Sequence, residues 1–243
     1  MRKRIKLLIS PRNLEEAKIA IDAKVDYIDC KNPEEGSLGA NFPWIIKQMK
    51  QLIPHNCHQL LSATIGDFPN LPGSASLAAL GAAVSGADII KVGLKGPTSE
   101  EQGIKLMKMV VKAVKEYNED IKIVAASYAD YIRIQSSLHF LSIPTIAAES
   151  GSDFVMLDTF IKDGKGLFNF LNIDQLIQFR DKAKEFNLKV ALAGNLMKDS
   201  IPKIKQIEPD LIGVRSAVCK GYDRNNGMIK AYLIEDLKEE LYK

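Results

Sequence analysis

The chain has 243 residues, of which 46% are hydrophobic, and this is enough apolar material to bury a sizeable core. Its 33 basic and 30 acidic residues leave a formal charge of +3, and the lysines are dispersed, so the composition argues against nucleic-acid binding. Three cysteines, Cys30, Cys57 and Cys219, have neither disulfide nor metal-ligand spacing, which is typical of a reducing, cytoplasmic compartment.

Short β-branched segments alternate with longer amphipathic ones along almost the whole chain. The basic start, MRKRIKLLISPRN, has an apolar run of about five residues, too short for a signal peptide or a membrane span. Strands are predicted at Ile5–Ser10, Tyr27–Lys31, Leu60–Gly66, Ile89–Leu94, Ile121–Tyr128, Phe154–Thr159, Lys189–Gly194 and Leu211–Ser216. Helices are predicted at about 13–22, 42–53, 74–86, 99–118, 138–150, 173–187, 200–207 and 227–241.

Eight strand–helix pairs predict an α/β protein of the (β/α)8 TIM-barrel class, with a closed parallel sheet of eight strands. Because no linker-like or low-complexity segment interrupts the pattern, we expect one domain over residues 1–243. A doubly wound sheet is the alternative. It would normally use fewer strands, and it leaves a repeat in the sequence unexplained.

This repeat consists of four aspartates that each precede an even-numbered strand: Asp26, Asp88, Asp153 and Asp210, spaced about 60 residues apart. Residues one, three and five positions after each aspartate share one face of the strand. They are Tyr27, Asp29, Lys31; Ile89, Lys91, Gly93; Phe154, Met156, Asp158; and Leu211, Gly213, Arg215. The charges lie toward the carboxyl ends, where barrel enzymes carry their active sites, so the pattern predicts a charged barrel mouth.

Two lysines, Lys31 and Lys91, are predicted to point into this mouth. A partly desolvated lysine beside a second cation loses proton affinity and becomes a neutral amine near neutral pH. Such an amine attacks a carbonyl to form a Schiff base, and a nearby amine or carboxylate then moves protons. The alternative is that each lysine only pairs with Asp29 or Asp158, or anchors a phosphate. Two interior lysines beside two carboxylates favour covalent carbonyl chemistry.

Residues after the last three strands are candidates for holding an anion. Barrels often bind phosphate with the loops after strands seven and eight, where glycine lets backbone N–H groups approach closely. An arginine there can donate two hydrogen bonds to phosphate, which we expect of Arg215. A solvated turn is the alternative for the KDGKG segment. The candidates are Gly194, Asn195, Gly213, Arg215 and Ser216, with Lys162 and Lys165 in KDGKG.

The segment from Lys31 to Trp44 follows the second strand and is rich in proline, glycine and polar residues. Long loops of this composition often close over active sites, so we interpret it as a lid. A rigid surface loop is the alternative.

Three long motifs closely resemble a known enzyme family: DCKNPEEGSLGANFPW, ATIGDFPNLPGSASLAALGAAVSGADIIKVGL and VMLDTFIKDGKGLFNF. The resemblance continues through ALAGNL and IGVRSAVCKGYDRNNGMI and runs essentially end to end. The family is that of (5-formylfuran-3-yl)methyl phosphate synthase, also called 4-(hydroxymethyl)-2-furancarboxaldehyde-phosphate synthase. The resemblance implies a barrel lyase of methanofuran biosynthesis, which condenses two molecules of glyceraldehyde 3-phosphate into the furan phosphate and releases phosphate and water.

The resemblance also implies roles for individual residues. Lys31 matches the family's Schiff-base lysine, and Lys91 matches its proton-transferring lysine. Asp29, Asp158 and Lys162 match further positions associated with activity. No metal or organic cofactor is implied, and the three histidines share no strand end with carboxylates, so we expect no metal site.

Asn195 departs from the family pattern, in which serine is frequent at this position, although asparagine still supplies a hydrogen-bond donor. The remaining alternatives are a class I aldolase or isomerase acting on another triose phosphate, and an inactive barrel that binds phosphosugars. We expect a small phosphorylated substrate as the partner, with neither nucleic acid nor membrane. Homo-oligomerisation through the outer helices stays open.

Overall fold

The computed structural model describes residues 4–134 and 138–243. Within these residues, eight parallel strands pair in chain order, and the last strand pairs back with the first. The predicted closed (β/α)8 barrel is therefore confirmed. The strands are β1 (Lys6–Ile9), β2 (Tyr27–Cys30), β3 (Leu60–Asp67), β4 (Ile89–Gly93), β5 (Lys122–Tyr128), β6 (Phe154–Asp158), β7 (Lys189–Leu192) and β8 (Leu211–Val214).

A helix follows each strand and packs apolar residues against the outside of the barrel. The helices are α1 (Leu14–Asp22), α2 (Pro43–Leu52), α3 (Pro72–Val84), α4 (Glu100–Tyr117), α5 (Ile143–Ser150), α6 (Ile173–Glu185), α7 (Ile201–Ile207) and α8 (Ala231–Tyr242). Side chains of Asn13, Ser99 and Asn172 cap α1, α4 and α6 by accepting a hydrogen bond from a first-turn N–H. No helix in the described part of the chain is long and apolar enough to cross a membrane.

Two helices begin later than the sequence predicts. Helix α5 starts at Ile143 rather than near residue 138, because Pro144 fits only the first turn and a 3-10 turn, Phe140–Ser142, precedes it. Helix α8 starts at Ala231 rather than near residue 227, because Ile229 forms an antiparallel bridge with Cys219 and keeps the chain extended.

The residues one, three and five positions after each anchoring aspartate lie at three successive heights in the barrel, the last of them at or just beyond the strand ends. The strand register places residues at equal distances from the anchoring aspartates at the same height, in the arrangement usual for this fold. Their outward neighbours, such as Ile28, Ile90 and Val155, belong to the core under the helices. From bottom to top the layers are Tyr27, Ile89, Phe154, Leu211; Asp29, Lys91, Met156, Gly213; and Lys31, Gly93, Asp158, Arg215.

The anchoring aspartates join neighbouring strands at the amino-terminal end of the barrel. Each side chain accepts a hydrogen bond from a backbone N–H near the start of the preceding strand, and each carbonyl accepts one from the following strand. The four anchoring aspartates therefore help to hold neighbouring strands together in the closed sheet. The side-chain contacts are Leu7 N–Asp26 (2.9 Å), Leu61 N–Asp88 (2.7 Å), Ile123 N–Asp153 (2.9 Å) and Val190 N–Asp210 (2.9 Å).

Candidate active site

One cavity at the carboxyl ends of the strands collects most of the predicted site residues. It lies above the middle layer, and Met156 and Gly213 form part of its floor. Lys165 is exposed and does not line it, which differs from its predicted place among the anion-binding residues. The polar lining consists of Ser10, Asp29, Lys31, Asp158, Lys162, Asn195, Arg215, Ser216 and Arg224, with Gly194 and Gly213 between them.

Lys31 supplies the amine of this cavity. Its side chain is buried, and among the described residues no carboxylate lies within ion-pair distance of its Nζ. Burial lowers the pKa of Lys31 to about 8; Asp158 and Asp29 oppose this change, and Lys162 reinforces it. Near pH 7, roughly a tenth of such an amine is neutral. Lys31 therefore meets the requirements for nucleophilic attack on a carbonyl.

Asp158 and Lys162 form an ion pair beside Lys31. The Lys162 Nζ lies 2.7 Å from Asp158 Oδ1, which also accepts a hydrogen bond of 2.7 Å from the Thr159 N–H. Burial alone would raise the pKa of Asp158, but the positive charges of Lys162 and Lys31 outweigh burial and lower it to about 2. Asp158 is therefore an anion throughout the physiological pH range and is the ion-pair partner of Lys162.

Lys91 lies one layer below Lys31 and is only 2% exposed. Its Nζ is 2.6 Å from Asp29 Oδ1, at an angle outside hydrogen-bond geometry, so the contact is primarily Coulombic. The other carboxylate oxygen of Asp29 accepts a hydrogen bond of 2.9 Å from Ser10 Oγ. The structure thus confirms that Lys91 points inward, but Lys91 reaches the cavity through Asp29 rather than lining it directly.

Arg215 has different partners from those the sequence predicts. Its guanidinium donates to Glu16 Oε2 at 2.8 Å and to Glu16 Oε1 at 3.3 Å, and also to the backbone carbonyls of Ser10 and Arg224. The Arg215 guanidinium, which we expected to bind phosphate, therefore donates its hydrogen bonds to protein atoms instead. In this geometry Arg215 joins α1, the end of β1 and the loop after β8.

The loops after β6 and β7 are packed tightly against each other. Gly194 has a positive φ of 102°, and a Cβ there would lie 3.1 Å from the Thr159 side chain. Its carbonyl accepts a hydrogen bond of 2.8 Å from the Leu167 N–H. The Asn195 amide donates to the Gly164 carbonyl at 2.7 Å, so this donor holds the KDGKG segment rather than pointing freely into the cavity.

The loop between β2 and α2, residues 32–42, folds over the barrel mouth. Ser37 Oγ donates to the Thr159 carbonyl at 2.9 Å, and Thr64 Oγ1 donates to the Gly39 carbonyl at 2.6 Å. Leu38 is fully buried in the apolar cluster inside the barrel. The loop therefore covers the side of the mouth formed by β3 and β6, which is the place expected of a lid.

A family model for 4-HFC-P synthase matches residues 7–238 of the chain. The chain is also 53% identical over 233 residues to (5-formylfuran-3-yl)methyl phosphate synthase of Methanocaldococcus jannaschii, covering 96% of this chain and 98% of the relative. The chain belongs to the 4-HFC-P synthase family. The synthase of Methanosarcina mazei is 50% identical over 236 residues, covering 97% of this chain and 99% of the relative. Membership in this family makes the chain an enzyme.

Solved structures with the same fold are more distant in sequence. The 3-hexulose-6-phosphate synthase from Salmonella typhimurium superposes with a TM-score of 0.67 at 16% identity, over 98% of this chain and 99% of that one. KGPDC from Streptococcus mutans gives a TM-score of 0.65 at 13% identity, over 99% of this chain and 100% of that one. At such identities, the similarity supports the barrel fold alone.

Three residues of the site were not singled out by sequence reasoning: Ser10, Glu16 and Arg224. Ser10 follows β1 and shares the face of the charged residues, so the strand pattern contains its signal. Glu16 reads as an ordinary acidic residue in the first turn of α1, and its partner Arg215 is 199 positions away. Arg224 lies in an irregular loop. Among the described residues, no group of three or more His, Cys, Asp and Glu side chains is arranged to hold a metal ion.

Proposed function

We propose that this enzyme condenses two molecules of glyceraldehyde 3-phosphate into (5-formylfuran-3-yl)methyl phosphate, with release of phosphate and water, in methanofuran biosynthesis. The observation that carries the chemistry is the buried amine of Lys31, unpaired in the described part of the chain, with a pKa of about 8, at the mouth of the barrel. The names of the relatives supply the product.

In this proposal, the neutral amine of Lys31 attacks the carbonyl of one triose phosphate, and loss of water gives an iminium ion. The positive iminium acidifies the adjacent C–H bond. The pair of Asp29 and Lys91, directly below, is placed to accept that proton and return it later. We assign the attack to Lys31 because Lys91 is paired with Asp29 and lies beneath the cavity.

Lys162 has an electrostatic role in this proposal. It is the ion-pair partner of Asp158 and lines the same cavity, where its ammonium group would stabilise a departing phosphate. Carbon–carbon bond formation with the second triose, cyclisation and dehydration complete the furan. The stability of the aromatic ring draws the reaction forward.

Incubation of the protein with glyceraldehyde 3-phosphate alone tests this proposal. We expect the ultraviolet absorbance of a furan aldehyde to appear together with one free phosphate per furan phosphate formed. A class I aldolase or an isomerase using the same lysine would interconvert triose phosphates without furan absorbance. Absence of both furan and released phosphate would refute the synthase assignment.

A further inference from the structure

The charged side chains that line the cavity do not balance. Among the described residues, three ion pairs involve them: Lys91 with Asp29, Lys162 with Asp158, and Arg215 with Glu16. Two further cations of the lining, Lys31 and Arg224, belong to none of these pairs. The cavity therefore has a surplus of positive charge that an anionic ligand would offset.

Arg224 is the permanent part of this surplus. Its guanidinium is partly buried, and within residues 4–134 and 138–243 it has neither a hydrogen-bond acceptor nor an ion-pair partner. Burial lowers the pKa of Arg224, against the attraction of Asp158, but a guanidinium stays protonated at physiological pH. A partly desolvated charge without a partner is unfavourable, and phosphate matches the two-pronged geometry of its donors.

The loop that carries Arg224 is held by a hydrogen bond from Arg215 and by hydrogen bonds within the loop. Arg215 Nε donates to the Arg224 carbonyl at 3.0 Å, which connects this loop to the Glu16 ion pair. The Asp223 carboxylate accepts hydrogen bonds from the N–H groups of Asn225 and Asn226, at 2.8 and 3.1 Å. The guanidinium therefore extends from a fixed backbone, and this lowers the entropy cost of binding an anion.

We propose that Arg224 is the phosphate-binding arginine of the site and that Arg215, paired with Glu16, is a positioning residue that aims it. The proposal rests on the proposed function for the identity of the substrate, a triose phosphate. The sequence favours Arg215 for phosphate binding, but the guanidinium that is available for phosphate is that of Arg224. Both arginines lie in the segment that follows β8.

Titration of the whole chain with inorganic phosphate, followed by calorimetry, tests the binding itself. We expect R224Q to weaken phosphate binding on the order of tenfold to a hundredfold, and R224K to lose less, because lysine keeps the charge without the fork. R4Q, at the opposite end of the barrel, should bind phosphate as the unmodified protein does. Equal affinity in R224Q and the unmodified protein, or no phosphate binding by the unmodified protein, would overturn the proposal. If R224Q fails to fold, the phosphate affinity of R224K, relative to that of the unmodified protein, tests the proposal instead.

Trapping with borohydride distinguishes a phosphate contact made by Arg224 from a merely structural role of this residue. Labelling of Lys31 by glyceraldehyde 3-phosphate should require on the order of tenfold more substrate in R224Q, whereas labelling by glyceraldehyde, which lacks the phosphate, should be unchanged. Equal losses with both aldehydes would indicate a structural role and contradict a phosphate contact. Failure of the unmodified protein to form furan would refute the synthase assignment and leave the phosphate titration to decide the role of Arg224.

Discussion

The two ends of the barrel use carboxylates for opposite purposes. At the amino-terminal end, the four anchoring aspartates accept hydrogen bonds from backbone N–H groups and hold adjacent strands together. At the carboxyl end, Asp29 and Asp158 form ion pairs with lysines and raise the pKa of Lys31 against the effect of its burial. The lower end is regular in all four quarters, whereas the upper end differs in each. The residues that repeat in all four quarters hold the barrel together, and the residues that differ between quarters form the candidate active site.

Removal of the nucleophile should produce the largest effect on activity. We expect Lys31→Met to lower the rate of furan formation on the order of a thousandfold or more, because no other amine among the described residues lines the cavity unpaired. Stability should not fall, because a buried amine is replaced by an apolar side chain of similar length. Furan absorbance measured over time gives the rate, and urea unfolding gives the stability. Lys105→Met, an exposed change on α4, is the matched control and should alter neither.

Lys91→Met should affect both activity and folding. We expect the rate to fall on the order of a hundredfold, because the proposed proton relay is lost. The free energy of unfolding should fall by about 3–5 kcal/mol, because Asp29 is left buried without its counter-ion. Adding Asp29→Leu should restore much of the stability but none of the activity. A single Lys91→Met variant with unchanged stability would contradict the buried ion pair.

The pH dependence of kcat/KM should follow the charge on Lys31. Because the neutral amine attacks, the rate should rise about tenfold per pH unit below pH 8 and level off above it. Asp158 raises the pKa of Lys31, so Asp158→Asn should move the rising limb to lower pH while lowering the plateau. A limb that moves to higher pH in Asp158→Asn would contradict this electrostatic arrangement.

A change at the lower end should affect stability alone. Asp88→Ala leaves the buried N–H of Leu61 without its acceptor and removes the partner of Lys50, so we expect a loss of about 1–3 kcal/mol in urea unfolding. The kcat at a temperature where the variant is folded should stay within about twofold of the original, because the cavity is at the other end. Asp88→Asn keeps an acceptor and should lose less.

Most of the architecture could be predicted from the sequence because its signals are local. Short β-branched runs, four of them preceded by an aspartate, predicted the strands to within about two residues, as is normal for element ends. The starts of α5 and α8 were missed because they depend on the first-turn proline and on the bridge between Cys219 and Ile229. Alternation along the four even-numbered strands also predicted which of their residues point inward.

The tasks of the two arginines could not be predicted in this way. Alternation placed Arg215 at the mouth, but its guanidinium is occupied by Glu16, on a helix at the other end of the chain. Arg224 follows an irregular turn without periodicity, so no pattern indicates where it points. Nor did spacing separate Lys31 from Lys91. Their difference in depth and partners requires the register of the closed sheet, which is a property of the whole barrel.

The most direct test is to reduce the enzyme with borohydride in the presence of glyceraldehyde 3-phosphate and to locate the added mass by peptide mapping. We expect one adduct, on the peptide that contains Lys31, and we expect its yield to increase as the pH rises toward 8. Lys91 and Lys162 should stay unmodified because both are held by carboxylates. An adduct on Lys91, or furan formation without any trapped lysine, would contradict the proposal that Lys31 forms the Schiff base while Lys91 and Asp29 transfer protons.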